Sequence, residues 1–127
     1  STGAQGPTGT VTATVTFTQG NDIPSNATID DYSISAGTLF LLTGSTASTI
    51  NGFANGTVGR FVIVVNNTNK NQTFNQEATS SSASNRFVLG VANKTINTNQ
   101  SATFIYVAGL TVSGAGSQSR WVLTGAT

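Results

Sequence analysis

Apolar and polar residues alternate strictly over residues 10–18, where Val11, Ala13, Val15 and Phe17 are separated by threonines. A period of two predicts a half-buried β-strand. An uninterrupted apolar run at residues 39–42 instead predicts a strand that is buried on both faces. A second apolar run, at residues 61–65, is the strongest strand signal in the chain, and we expect it at the centre of the core.

Weaker extended segments are separated by turn-forming Gly, Pro, Asn, Asp and Ser, including a predicted turn at residues 20–26. No window holds a capped amphipathic repeat, so we expect almost no helix. About nine or ten short strands at regular intervals predict an all-β fold, arranged as an antiparallel β-sandwich or a jelly-roll-like domain. The weaker strands are expected at residues 28–34, 48–53, 72–74, 85–91, 94–98, 101–107 and 120–123.

Glycine occupies every third position at the start of the chain, at Gly3, Gly6 and Gly9, and Pro7 follows the second of them. Only glycine fits at the axis of a collagen triple helix, and proline favours its extended backbone. Residues 1–9 are therefore expected to be the end of a collagen-like tract, with a flexible linker as the alternative. Residues 10–127 are expected to form a single all-β head domain.

The composition of the 127 residues excludes several kinds of function. Charged residues make up 7% of the chain, five Lys and Arg against four Asp and Glu, and the basic residues are scattered singly, so we expect no nucleic-acid partner. The apolar runs are far too short to span a bilayer, and no signal peptide is expected at the N-terminus. With no His, the chain lacks the commonest general base, and with no Cys it lacks a thiolate nucleophile.

The acidic residues offer little catalytic chemistry. Asp30 and Asp31 are adjacent, and neighbouring residues of an extended chain point to opposite faces, which is poor geometry for an acid and base pair. We expect them, with Asp22, to be solvated loop acids; the alternative is a calcium site. We predict no enzymatic activity, no catalytic or metal site and no cofactor.

Because charges are so few, those beside strands are expected to be structural. Arginine forms planar contacts with carboxylates and carbonyls, and such contacts would clamp loop ends together or, alternatively, contact a ligand. Trp121 is expected in the core or at an interface, with a sugar-stacking platform as the alternative; Tyr32 and Tyr106 are the other flat rings with polar edges. The predicted clamp comprises Arg60, Glu77, Asn85, Arg86, Arg120 and Trp121.

The order of residues over about positions 38–124 resembles a small all-β domain that recurs in bacteriophage tail-fibre and virion-appendage proteins, often behind Gly-X-Y repeats. The resemblance is carried by Ile50-Asn51-Gly52-Phe53, Gly59-Arg60 before the apolar run 61–65, Asn66-Asn67-Thr68, Phe74-Asn75-Gln76-Glu77, Ser84-Asn85-Arg86-Phe87, residues 101–106 and Arg120-Trp121.

This resemblance implies a homotrimeric head or spacer of a viral fibre, located at the virion surface, that contributes to attachment to a host glycan or protein receptor. It implies no particular receptor-binding residues. Three parallel chains of a triple helix suit a head of threefold symmetry. Two alternatives remain: a monomeric carbohydrate-binding or surface-display module of a bacterial collagen-like protein, and a capsid or spike component without a receptor role.

Overall fold

A computed structural model of the chain describes residues 12–127. The helical content of these residues is one short 3-10 turn, Ala83–Asn85, and no helix among them is long and apolar enough to cross a membrane. The predictions of an all-β fold and of almost no helix are therefore confirmed. The strands are β1 (Ile23–Pro24), β2 (Thr28–Ile29), β3 (Tyr32–Ser33), β4 (Leu39–Thr43), β5 (Thr49–Ile50), β6 (Phe53–Ala54), β7 (Phe61–Asn66), β8 (Gln72–Asn75), β9 (Phe87–Val88), β10 (Asn93–Ile96), β11 (Ser101–Val112) and β12 (Gly116–Ala126).

The first eight strands wind through three successive coils, residues 23–33, 39–54 and 61–75. Each coil lies in parallel on the one before it, so that β1, β4 and β7 pair in turn, as do β2, β5 and β8, while β3 pairs with β6. Backbone hydrogen bonds join the coils; the N–H of Thr49, for example, donates to the carbonyl of Ala27 at 3.1 Å.

The coils make the sheets mixed, where the sequence predicts antiparallel strands. Six of the nine strand pairings within residues 12–127 are parallel. The alternation of apolar and polar residues determines which side chains face the core, but it does not determine the direction of the neighbouring strand.

A long antiparallel hairpin, β11–β12, completes the larger sheet. This sheet has six strands in the order β1-β4-β7-β11-β12-β9, and a four-stranded sheet has the order β10-β8-β5-β2. The strand predicted to be central, β7, lies between β4 and β11 in the interior of the larger sheet.

Aromatic rings from both sheets meet in one core. Phe74 of the four-stranded sheet lies 5.0 Å, centroid to centroid, from Phe104 of the six-stranded sheet. Phe53 packs edge-on against Phe87 at 5.1 Å, and Trp121 lies 5.0 Å from Tyr106. Such offset and edge-on contacts are the preferred geometries of aromatic pairs, and burying these rings stabilises the association of the two sheets.

The strand predicted at residues 10–18 is wrong over the part of it that the structure describes. Residues 12–18 form no strand, and the side chains of Val15 and Phe17 are 79% and 48% exposed. Residues 10 and 11, and the predicted collagen-like positions Gly3, Gly6 and Gly9, lie outside the described residues. The segment predicted as a turn instead supplies strand β1, which pairs with β4.

Candidate functional site

The outer face of the six-stranded sheet is apolar over β4, β7 and the adjoining part of β11. Strand β4 was expected to be buried on both faces and β7 to be central to the core, but only the inner residues of the two strands, such as Phe40 and Val62, are fully buried. The outer residues are half-buried and in register across β4, β7 and β11: Leu39 pairs with Ile63, and Phe61 with Ile105. We call this surface the apolar face; it consists of Leu39, Leu41, Phe61, Ile63, Val65 and Ile105.

The chain that follows the N-terminal glycine-rich segment runs onto the apolar face. The ring of Phe17 lies 6.1 Å from that of Phe61. One residue later, the carbonyl of Thr18 accepts hydrogen bonds from the N–H groups of Thr38 at 2.8 Å and Leu39 at 3.2 Å. These contacts fix the entry point of the chain beside β4, at one side of the apolar face.

The predicted clamp residues lie at separate places rather than in one cluster. Arg60 bonds only to carbonyls among the described residues: Nη1 donates to Asn55 at 2.9 Å, and Nη2 donates to Ser35 at 2.6 Å and to Gly37 at 3.2 Å. Partial burial lowers the pKa of the Arg60 guanidinium from its ordinary value. Its hydrogen bonds hold together the two loops that connect the coils.

Arg120 and Glu77 form a bidentate ion pair. Nε of Arg120 lies 2.5 Å from Oε2 of Glu77, and Nη2 lies 3.0 Å from Oε1. The Arg120 side chain is 1% exposed, and Nη1 donates to the carbonyl of Ser119 at 2.9 Å. This pair links the last strand to the chain just after β8, where Glu77 has a left-handed backbone with φ of 47°.

The loop of residues 78–86 is held against the first coil by hydrogen bonds to Asp31, one of them from the predicted clamp residue Asn85. Nδ2 of Asn85 donates to Oδ1 of Asp31 at 2.8 Å, and the N–H of Ser82 donates to the same oxygen at 2.7 Å. Nε of Arg86 donates to the carbonyl of Ser81 at 2.9 Å within the loop. Asp31 therefore acts as a hydrogen-bond acceptor for this loop.

Hydrogen-bonded side chains at the ends of β8, β5 and β2 form a row of two amides and one carboxylate, which we call the amide ladder. Nδ2 of Asn75 donates to Oδ1 of Asn51 at 2.9 Å, and Nδ2 of Asn51 donates to Oδ1 of Asp30 at 2.7 Å. The three residues hold equivalent places in successive coils. The sequence carries a signal for this ladder that our sequence analysis missed: Thr28-Ile29-Asp30 recurs as Thr49-Ile50-Asn51 and as Thr73-Phe74-Asn75.

The outer face of the four-stranded sheet is polar. One threonine of each strand lies in register with the next, in the order Thr28, Thr49, Thr73 and Thr95. The hydroxyls of Thr73 and Thr95 are hydrogen-bonded at 2.9 Å. We call these four threonines the threonine row.

A groove of about 280 Å³ lies at the β2 end of the threonine row. Its walls come from the first coil alone: Pro24, Ser25, Asn26, Thr28, Ile29, Asp30 and Tyr32. Asp30 and Tyr32 thus share a concave surface. Of the two other flat rings considered for stacking, Trp121 is fully buried and Tyr106 is 7% exposed.

No group of three or more acidic residues within residues 12–127 is arranged to hold a metal ion. The alternative calcium site comprised Asp22, Asp30 and Asp31. The Oδ1 atoms of Asp30 and Asp31 each accept hydrogen bonds from side-chain or backbone donors.

The chain matches no protein-family model, no curated protein and no solved structure.

Proposed function

We propose that the chain is a non-enzymatic structural and receptor-binding domain of a homotrimeric viral fibre or spike, of the kind carried by bacteriophages, and that it takes part in host attachment at the virion surface. The observation that carries the proposal is the apolar face. Two further features support it: the path of the chain into that face and the absence of charge on it.

Leaving the apolar face in contact with water is energetically unfavourable for an isolated domain. Six aliphatic or aromatic residues on three adjacent strands form a contiguous patch, and such patches mark association surfaces or aggregation hazards. Because both faces of β4 and β7 are apolar, the sequence pattern is that of a sheet with a layer packed on each side. We assign the second layer to copies of the same chain.

The number of copies follows from the glycine-rich start of the chain. A collagen triple helix delivers three parallel chains around one axis. Phe17, a few residues beyond Gly9, already lies against Phe61. Three chains leaving a common axis would therefore bring their apolar faces close to that axis, which gives a closed threefold assembly.

Charge does not oppose this assembly. None of the six residues of the apolar face is charged, and Arg60, next to Phe61 in sequence, is directed to the carbonyls of Ser35, Gly37 and Asn55. Association then requires no charged group to lose its water, so burial of apolar surface is offset mainly by lost motional freedom.

The two-layer arrangement expected from the sequence is part of the proposal, whereas antiparallel pairing throughout is not, because most pairings are parallel. The four- and six-stranded sheets enclose a shared aromatic core, with Phe74 against Phe104, as the two layers of a β-sandwich do. We propose that the domain is sandwich-like, with the coils supplying parts of both layers, and that a collagen-like tract precedes it. The non-enzymatic assignment rests on the chain's lack of His and Cys.

A charge placed on the apolar face tests the proposal. Ile63→Glu introduces a carboxylate at the middle of the face and should convert the trimer to a monomer in sedimentation velocity, with the far-ultraviolet circular dichroism unchanged. Thr95→Glu, on the opposite sheet, is the matched control and should remain trimeric. A chain that sediments as a monomer before any substitution, or an Ile63→Glu variant that stays trimeric, contradicts the assignment of this face.

A further inference from the structure

The groove at the first coil combines a fixed carboxylate with an aromatic ring and hydroxyl groups. We infer that it binds a neutral saccharide through Asp30, Tyr32 and Thr28. This inference rests on the proposed function, because it names the chemical class of the receptor that the fibre domain would contact.

Asp30 is oriented before any ligand arrives. Its Oδ1 accepts hydrogen bonds from Nδ2 of Asn51 at 2.7 Å and from the hydroxyl of Ser80 at 2.8 Å. Within the described part of the chain Asp30 forms no ion pair, and both donors bind the same oxygen, which leaves Oδ2 for a ligand. A carboxylate held in this way accepts charge-assisted hydrogen bonds from hydroxyl groups and repels anions.

Tyr32 supplies an apolar surface beside the carboxylate. Its ring is half-buried and packs on one side against the core, which holds it in place, and another part of it lines the groove. An aromatic ring with a polar edge suits a ligand that has both C–H surfaces and hydroxyl groups. Saccharides have both within each ring.

The threonine row extends the same chemistry away from the groove. Its four hydroxyls lie on adjacent strands, so Thr28 and Thr95 are separated by about 14 Å. Each hydroxyl both donates and accepts, and none of the four carries a charge. A neutral oligosaccharide bound in the groove would thus meet further hydroxyl partners along the sheet.

A saccharide fits this edge better than an added peptide strand does. Strand β2 is an edge strand of only two residues, and nearby Pro24 has no N–H to donate. Very short edge strands resist extension of a sheet. None of the six residues of the apolar face lines the groove, although Pro24 belongs to β1 at the edge of the same six-stranded sheet.

The test is binding of the full chain to immobilised neutral oligosaccharides of glucose, galactose and mannose, with sialylated oligosaccharides beside them. We expect binding to at least one neutral oligosaccharide and weaker binding to its sialylated form. Tyr32→Ala and Asp30→Asn should each weaken it about tenfold or more, the loss that follows removal of one charge-assisted hydrogen bond or one stacking ring. Asp22→Asn, which removes an exposed carboxylate outside the groove, should bind as the unmodified chain does.

A third groove variant and a measurement of trimer mass complete the test. Thr28→Ala removes an exposed hydroxyl without touching the core and should also weaken binding, which keeps the test valid if Asp30→Asn or Tyr32→Ala fails to fold. Trimer mass is measured on the same samples. A trimer that binds none of the neutral oligosaccharides, binds only sialylated ones, or binds equally well after these substitutions overturns the saccharide site alone. A monomer that binds a neutral oligosaccharide in the predicted way overturns the assembly alone.

Discussion

The indole N–H of Trp121 donates to the backbone carbonyl of Phe53 at 2.9 Å, and both side chains are fully buried. Phe53 belongs to β6, the last strand of the second coil, whereas Trp121 belongs to β12, so one hydrogen bond joins the coils to the closing hairpin. The rings of the two residues also meet edge-on at 6.3 Å.

Replacing the indole of Trp121 should weaken the packing of the closing hairpin against the coils. Trp121→Phe keeps an aromatic ring but removes the donor, leaving the Phe53 carbonyl without it in a buried site. We expect the free energy of unfolding to fall by about 2–4 kcal/mol, from the lost hydrogen bond and the space left by the smaller ring. Urea unfolding followed by circular dichroism measures it; an unchanged midpoint would show that the bond contributes nothing.

Replacing one partner of the Arg120–Glu77 ion pair should lower the free energy of unfolding more than replacing both partners. Glu77→Gln leaves the guanidinium of Arg120 buried beside a neutral group, and we expect a loss of about 2–4 kcal/mol in the free energy of unfolding. The double variant Glu77→Gln with Arg120→Met should recover part of that loss, because no buried charge is left without its partner. A double variant less stable than the single one would contradict this account.

A second carboxylate in the amide ladder should make stability depend on pH. In Asn51→Asp the introduced carboxyl faces Oδ1 of Asp30, so the two groups share a proton and the folded-state pKa of one rises above its unfolded value. Its stability contribution is then present in acid and lost as pH rises through that raised pKa. We expect the variant to be destabilised by about 1–3 kcal/mol at neutral pH and less at acidic pH.

Thermal unfolding across this pH range measures the effect relative to the unmodified chain. Asn97→Asp, at an exposed position, is the matched control and should follow the unmodified chain throughout. An Asn51→Asp variant whose destabilisation grows as the pH falls would rule out the shared proton.

Gly56 should tolerate no side chain. A Cβ at Gly56 would overlap Cδ1 of the Tyr106 ring, whose hydroxyl donates to the carbonyl of Ser84 at 2.7 Å. Gly56→Ala is therefore expected to lower the free energy of unfolding by about 1–3 kcal/mol, as overpacking does. Gly125→Ala, where a Cβ would meet nothing within 4 Å, should stay close to neutral in the same chemical unfolding experiment.

The sequence pattern located the core strands because burial follows side-chain alternation. Val62 and Val64 are fully buried as expected, and β7 lies inside the larger sheet. The same pattern misled at residues 12–18, because alternation also occurs where no neighbouring strand is available to pair. The two-residue strands of the first coil, such as Ile23–Pro24, are too short to leave a periodic signal.

The contacts of the candidate site depended on which loops meet, and alternation carries no such information. Arg120 was expected to contact Glu77 or loop carbonyls, and only the fold shows that it contacts Glu77 while Arg60 contacts carbonyls. The parallel coils left one readable trace, the recurrence of Thr-Ile-Asn at 49–51 as Thr-Phe-Asn at 73–75. A search for internal repeats would have indicated stacked strands in register.

The most direct measurement of the central claim is the absolute mass of the unmodified chain in solution, by light scattering across a dilution series. The account predicts a mass near three times the 12.9 kDa of one chain, maintained on dilution and insensitive to added salt because the apolar face carries no charge. A stable mass of 12.9 kDa at all concentrations would contradict it.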